Sequence, residues 1–514
     1  MTRDTHLVQV EPALGEAAAT SVVWSVGQKW VMRITGFATV AILTRVLSPE
    51  DFGIVTVAMS IIPIIYLLAD MGFGTYIMQA KHADETTLST VFWYSAGAGA
   101  TLTAALVAVA PVIGDLLDVP KATPVIYGLA PVVIVVTLGS VPNALLRRRM
   151  RFRALAVQSV IAGISSQVLA VTLAISGAGV WALVGQTFTY QIVANVFAWG
   201  TARWYPVFRF SWTEFRRIIR FGSHVLSVEV VALLRYWAEN AIIVTTLGVA
   251  GLGYLNIAQR LVQVSQDLTS AAILPVSTVV FAKVRDVGDR LRSGYFKALS
   301  FTYAAVIPVI LFVAVGAPLL IPLLFGSQWD ESIAPAQALA VAGIMTSGAM
   351  LDQGLFYGSG RPGRWFLYAL IIDGLTVAVT AALVPYGLFA TAIGFVGVAL
   401  VATISRWRIV GRLIELPWWR IAAPFARASL AAVGSAVAGT VAMIGSAGMP
   451  SLISLTITGV ALLVVYLVIT RFVMPREFDE IIRTARRLMT RLRLRLMPRR
   501  GVGTDMLAEK ENVR

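Results

Sequence analysis

Apolar segments of roughly twenty residues recur along almost the whole chain, and that recurrence limits the possible folds more than any motif does. They begin near Ser21, Asp51, Leu88, Thr123, Ala154, Gly179, Gly222, Gly253, Tyr295, Ile333, Trp365, Gly387, Ala423 and Leu452, which makes about fourteen spans. Each is long enough to cross the ~30 Å hydrocarbon core of a bilayer as a helix. Only 13% of the 514 residues are charged, against roughly a quarter in soluble domains. The mean hydropathy is +0.78. The expected fold is an all-α polytopic membrane protein.

Charge placement supplies the orientation. Five Arg lie between Arg147 and Arg153, five between Arg203 and Arg220, five Lys or Arg between Lys283 and Lys297, and five Arg between Arg406 and Arg427. The tail 475–514 adds eleven more. Lys121 is the single cation on the opposite side, beside Glu50, Asp51, Asp115, Asp118, Asp330 and Glu331. The positive-inside rule therefore puts both termini in the cytoplasm. It also accounts for the net charge of +15 without nucleic acid, for which no soluble segment offers a basic face. The outer turns are short, so any chemistry must lie within the membrane.

Residues 1–20 lack the apolar core of a cleavable signal and are read as a cytoplasmic tail. The tail 475–514 mixes Arg with Ile, Leu and Met, in the manner of an interfacial helix on anionic lipid or of a disordered basic tail. Cysteine is absent, which excludes disulfides and thiolate chemistry, and His6, His82 and His224 are the only imidazoles. Neither a metal nor a cofactor is expected.

A shift of 200 residues aligns Val31, Ala38, Ala41, Ile42, Leu47, Gly53 and Ala58 with Val231, Ala238, Ala241, Ile242, Leu247, Gly253 and Ala258. Both copies open a six-helix block of the same orientation, which suggests two lobes about an axis along the membrane normal, with a site between them. The expected organisation is an N-lobe over 21–200, a basic loop over 201–221, a C-lobe over 222–412 and two further helices over 413–474.

Ionisable groups inside the spans are the site candidates, because they are costly in hydrocarbon. Gln28, Lys29 and Arg33 lie in the apolar run from Ser21 to Leu47, and the two cations are one helical turn apart with no acid nearby. Arg235 lies mid-span in the second lobe, where it either lines the cavity or pairs with Glu239 four residues on; Asn240 follows. The next helix carries a polar stripe of Asn256, Gln259, Arg260, Gln263 and Asp267. Arg45, near the end of its span, is expected to snorkel to the headgroups. Lys29, Arg33, Arg235 and Arg260 against few acids describe a positive, water-filled cavity suited to a phosphate-bearing ligand.

Other patterns fail. Gly358–Gly363 matches G-x-G-x-x-G but follows a membrane helix and contains Pro362, so it is read as a turn. No phosphate-binding P-loop occurs, and no catalytic set is expected. Ser48-Pro49-Glu50-Asp51 reads as a helix start, with Ser48 as cap and acids on the positive dipole end.

The runs LTRVLSPEDFGIVTVAMSIIPIIYLLADMGFGTYIMQ (Leu43–Gln79), PNALLRRRMRFRALA (Pro142–Ala156), GVWALV (Gly179–Val184), LGYLNIAQRLV (Leu252–Val262) and LLFGSQWDES (Leu323–Ser332) resemble those of Wzx-type polysaccharide flippases. These belong to the superfamily of multidrug, oligosaccharidyl-lipid and polysaccharide exporters. The resemblance implies two six-helix lobes about a V-shaped central cavity, two extra C-terminal helices, and a monomeric transport unit. It also implies export of an undecaprenyl-diphosphate-linked oligosaccharide across the bacterial inner membrane, alongside membrane lipids, a polysaccharide polymerase and chain-length machinery. On that basis Lys29, Arg33, Arg235 and Arg260 would meet the diphosphate. Many relatives carry an acid near Asn240, and Glu239 would stand in for it in ion coupling. A drug or cation antiporter of the same superfamily is the alternative, and a polysaccharide polymerase or ligase a more distant one.

Overall fold

The computed structural model describes residues 31–71, 73–79, 84–283, 288–359, 361–475 and 478–479. The expected tail 1–20, all of the tail 475–514 except 475 and 478–479, and Gln28 and Lys29 lie outside the described residues. The described chain is helical, with α1 (31–46), α2 (Pro49–Asp70), α3 (Phe73–Gln79), α4 (Glu85–Leu116), α5 (Ala122–Leu138), α6 (Ser140–Arg148), α7 (Phe152–Ile175) and α8 (Trp181–Ala202) making up its first part. The second part holds α9 (Trp212–Lys283), α10 (Gly288–Phe325), a 3-10 turn (Ser327–Ser332), α11 (Ile333–Thr346), α12 (Ala349–Gly358), α13 (Pro362–Leu383) and α14 (Leu388–Ile414). The last two helices are α15 (Trp418–Gly445) and α16 (Ser451–Val473).

Among the described residues ten helices are long and apolar enough to cross a membrane, or eleven if the bent pair α5 and α6 counts as one span. The difference from the expected fourteen has identifiable sources. Residues 21–30 lie outside the described part. Gln186, Gln191 and Asn195 dilute the apolar character of α8. Finally, α9 is continuous in outline but broken at Gly248, whose φ of 74° and ψ of 175° leave the helical region. That backbone strongly favours glycine, and it divides α9 into two legs, 212–247 and 249–283.

The helix start expected at Ser48 is present in full. The Ser48 side chain accepts from the Asp51 N–H at 3.2 Å, and the Asp51 carboxylate accepts the Ser48 N–H at 2.9 Å. Pro49 occupies the first turn, where its missing N–H costs nothing. Ser48→Ala removes the hydroxyl half of this box while keeping the backbone N–H that donates to Asp51, and is expected to lower stability by about 1 kcal/mol, readable as a lower thermal midpoint in detergent.

Two lobes follow from the packing. α2, α4, α5, α6, α7 and α8 pack on one another in the first, and both legs of α9 with α10 to α14 in the second. α15 and α16 pair and lean on α10, and α15 also meets α14, so they are an appendage of the C-lobe. The fourth membrane segment of each lobe is interrupted at a corresponding place. In the N-lobe α5 and α6 bend by 40° at Gly139, and in the C-lobe α11 gives way to α12 at Ser347 and Gly348.

Candidate functional site

The lobes meet along α2 and the second leg of α9, and the contact is reciprocal. A Cβ on Gly53 would overlap the Val249 carbonyl oxygen, and a Cβ on Gly253 would overlap the Pro49 carbonyl oxygen. Gly53 and Gly253 are one of the pairs related by the 200-residue shift; Pro49 and Val249 stand in the same register. A contact in which i meets j and the counterpart of j meets the counterpart of i is the mark of a two-fold relation. Here it operates between halves of one chain.

The same end of the bundle is closed by the α1–α2 turn docking on the C-lobe. Trp329, fully buried, donates its indole N–H to the Thr44 carbonyl at 2.9 Å and meets Phe52 edge-on at 5.3 Å. The Gln328 amide donates to the Leu47 carbonyl at 3.1 Å. The Arg45 guanidinium donates to the Leu323 carbonyl. Arg45 therefore does not snorkel to headgroups as expected; it ties the lobes together, because a carbonyl at a helix end lies within its reach. Lys121, on the same end, pairs with Glu50 at 2.9 Å, and that carboxylate raises the lysine pKa through its hydrogen bond and charge.

The expected cations separate into two kinds. Arg33 is half-buried in the first described turn of α1. Arg260 is exposed on the second leg of α9 beside exposed Gln259 and Gln263, with Asn256 half-buried one turn earlier. Among the described residues Arg260 makes no hydrogen bond or ion pair. The side chains of Asp267, Glu229 and His224 lie outside the described ones.

Arg235 is different. Its Nη1 donates to the Glu239 carboxylate at 2.6 Å, and its Nε lies 2.9 Å from Asp373 Oδ1 as an ion pair without hydrogen-bond alignment. Asn240 is buried next to Glu239, with its Nδ2 unpartnered. Of the two readings of Arg235, the pairing with Glu239 is present, and Asp373 adds a second carboxylate, so this cluster holds one more acid than base. Helical spacing gave the Glu239 contact, but Asp373 is 138 positions away, on α13. Its signal was present, since Asp373 interrupts the apolar run LYALIIDGLTVAV and an acid in such a run is a site candidate.

A second acid was also missed. Asp352 and Arg406 are each 1% exposed and form an ion pair at 2.7 Å between Arg406 Nε and Asp352 Oδ2, while Tyr295 donates its hydroxyl to the other carboxylate oxygen. The Arg406 Nη atoms each reach 3.3 Å to the Thr346 and Met345 carbonyls, which are the last of α11. Arg406 was counted with the cytoplasmic arginines; it is instead buried within the C-lobe, where it satisfies the carbonyls freed by the segment break.

The comparisons with known proteins agree with this architecture. The chain is similar to the succinoglycan biosynthesis transport protein ExoT of Rhizobium meliloti, at 28% identity over 369 residues covering 71% of this chain and 74% of that protein. It is similar to the lipopolysaccharide biosynthesis protein WzxC of Escherichia coli, at 25% identity over 342 residues covering 65% and 68%. Among solved structures, the lipid II flippase MurJ in an inward closed conformation superposes with a TM-score of 0.70 at 13% identity, over 88% of this chain and 98% of that one. An inward-facing multidrug resistance transporter of the MATE family gives 0.61 at 18% identity, over 75% and 94%. These structural likenesses establish the two-lobed fold. The family described as "Polysaccharide biosynthesis protein" matches residues 42–334, more than half of the chain, and this multi-pass membrane protein belongs to it.

Proposed function

We propose that the chain is a flippase that carries undecaprenyl-diphosphate-linked oligosaccharide units across the bacterial inner membrane by alternating access. The product would be exopolysaccharide, capsule or O-antigen. Family membership, the transport role named for ExoT and the fold shared with MurJ support this reading. With the arginine-rich end and both termini in the cytoplasm, the glycine seam is the periplasmic gate and the described state is closed to the outside. A polymerase and chain-length machinery would take the exported unit.

The observation that carries the reading is Arg260. A guanidinium in a membrane helix costs at least about 2.5 kcal/mol at the bilayer centre unless it meets water or a partner. Arg260 is exposed, has no partner among the described residues, and stands on a face with two glutamines. An aqueous vestibule that accepts an anionic head removes that cost, and Arg matches phosphate oxygens with a planar fork. Arg33, with Lys29 one turn before it in sequence, is assigned to the same diphosphate. Glu239, Asn240 and Asp373 around Arg235 are assigned to coupling, because the surplus carboxylate there offers a place for an exchanged cation.

The physical task is to move a sugar head whose unpaired hydroxyls each cost a few kcal/mol in hydrocarbon. An inside-negative potential helps export of the anionic head by roughly 2.3 kcal/mol per charge per 100 mV. Arg33→Ala and Arg260→Ala are each expected to lower surface polysaccharide at least about tenfold at matched protein level, the effect of losing one charge-assisted hydrogen bond of 1.5–3 kcal/mol. Arg260→Lys keeps part of the activity. Full export by both alanine variants rejects the diphosphate assignment.

A further inference from the structure

The two segment breaks are finished in opposite ways. In the C-lobe the freed carbonyls of α11 are met by Arg406, which forms an ion pair with Asp352, and Asp352 accepts from the Tyr295 hydroxyl. In the N-lobe the break at Gly139 opens on a cavity of about 610 Å3 between α2, α3, α5, α6, α7 and α8. That volume lies within the roughly 300–1,000 Å3 of small-molecule sites. Interrupted helices at matching places in two lobes point to ligand sites, and here the C-lobe break is filled by an ion pair whereas the N-lobe break opens on empty space.

The amides around this cavity form a directional chain. Asn143 donates its Nδ2 to the Gly139 carbonyl at 2.9 Å, so its Oδ1 is free to accept from Gln158 Nε2 at 3.0 Å. Gln158 is left with Oε1 unpartnered, although the residue is only 6% exposed. Asn195 donates to the Val135 carbonyl at 2.7 Å, and its Oδ1 is left unpartnered in the space where a Cβ on Gly139 would stand. Ser140, 8% exposed, has an unpartnered hydroxyl. Reversing Asn195 would set its oxygen against the Val135 carbonyl, and reversing Gln158 would set its oxygen against Asn143 Oδ1, itself fixed by the Gly139 carbonyl, so the two unpaired amide atoms are acceptors. Burying them unpaired costs about 1–3 kcal/mol each.

We propose that this N-lobe cavity binds a neutral sugar ring of the substrate head, apart from the place that takes the diphosphate. Sugar hydroxyls are the donors that Gln158 Oε1, Asn195 Oδ1 and Ser140 Oγ lack. A phosphate brings only acceptors and is repelled by the two amide oxygens. Among the described residues no carboxylate lines the cavity and Arg147, which is exposed, is the one cation there. Tyr190 and Gln191 add an aromatic edge and further amide capacity. The assignment rests on the flippase reading above.

The test uses the full-length protein in nanodiscs and two probes: the diphosphate-linked repeat unit extracted from cells lacking this protein, and undecaprenyl diphosphate without sugar. Gln158→Leu is expected to weaken the sugar-bearing probe about tenfold, and Ser140→Ala about threefold, with the bare diphosphate lipid bound as by wild type. Ser140→Ala removes a hydroxyl that has no hydrogen-bond partner, so its fold is retained and its result stands even if Gln158→Leu unfolds. Wild-type affinity of Ser140→Ala for the sugar-bearing probe overturns the proposal and leaves a cavity filled by water. An equal loss for both probes also overturns it, because the cavity would then hold the diphosphate. Failure of the flippase reading is separate: it is the case in which the wild-type protein binds neither probe.

Discussion

Gly253→Val is expected to reduce export of the polysaccharide at least about a hundredfold while the protein still inserts and folds. The Pro49 carbonyl occupies the place of a Gly253 side chain, and backbone atoms cannot rotate aside as a side chain can. The lobes must then part at this end. A wedge that disfavours the closed-outside state by about 2.8 kcal/mol cuts its population a hundredfold. Because the two contacts are reciprocal, Gly53→Val is expected to act through the Val249 carbonyl in the same way. The chain has no cysteine, so a single Val57→Cys, one turn from Gly53 and 2% exposed, reports on the seam. Maleimide should label it slowly in the parent and rapidly in the Gly253→Val background. Slow labelling together with normal export would show that the seam does not gate transport.

Asp352→Leu is expected to destabilise the C-lobe by about 3–5 kcal/mol, because it leaves the buried Arg406 guanidinium without its counter-charge. Adding Arg406→Met removes the uncompensated charge and recovers part of that loss. Recovery is incomplete, since the Met345 and Thr346 carbonyls and the Tyr295 hydroxyl still lose their partners. Thermal unfolding in detergent of the two single variants and the double variant gives the coupling directly. A single variant within about 1 kcal/mol of the parent would contradict a buried ion pair at this break.

The membrane class, the helix start at Ser48 and the pairing of Gly53 with Gly253 were all legible before any coordinates, because each depends on spacing along the chain. Arg235 was half legible: its local partner Glu239 lies one turn away, and its distant partner Asp373 does not. Arg406 was misplaced among loop arginines because a cation near a helix end reads alike whether it faces water or a buried acid. The polar cavity of the N-lobe gave no signal at all. Asn143, Gln158 and Asn195 are uncharged, scattered over three helices, and compatible with any amphipathic surface.

Hydrophobic length, end-to-end charge asymmetry and the 200-residue internal match were sufficient to define a two-lobed helical bundle in a bilayer, since a lipid environment imposes those demands one segment at a time. Which charges meet, which freed carbonyls are satisfied and where empty space is left depend on side chains brought together from positions many tens of residues apart. Such contacts cost nothing to leave unspecified along a helix and are decided only when helices pack, so the ion-pair partners, the sealed seam and the amide-lined cavity belong to the tertiary structure alone.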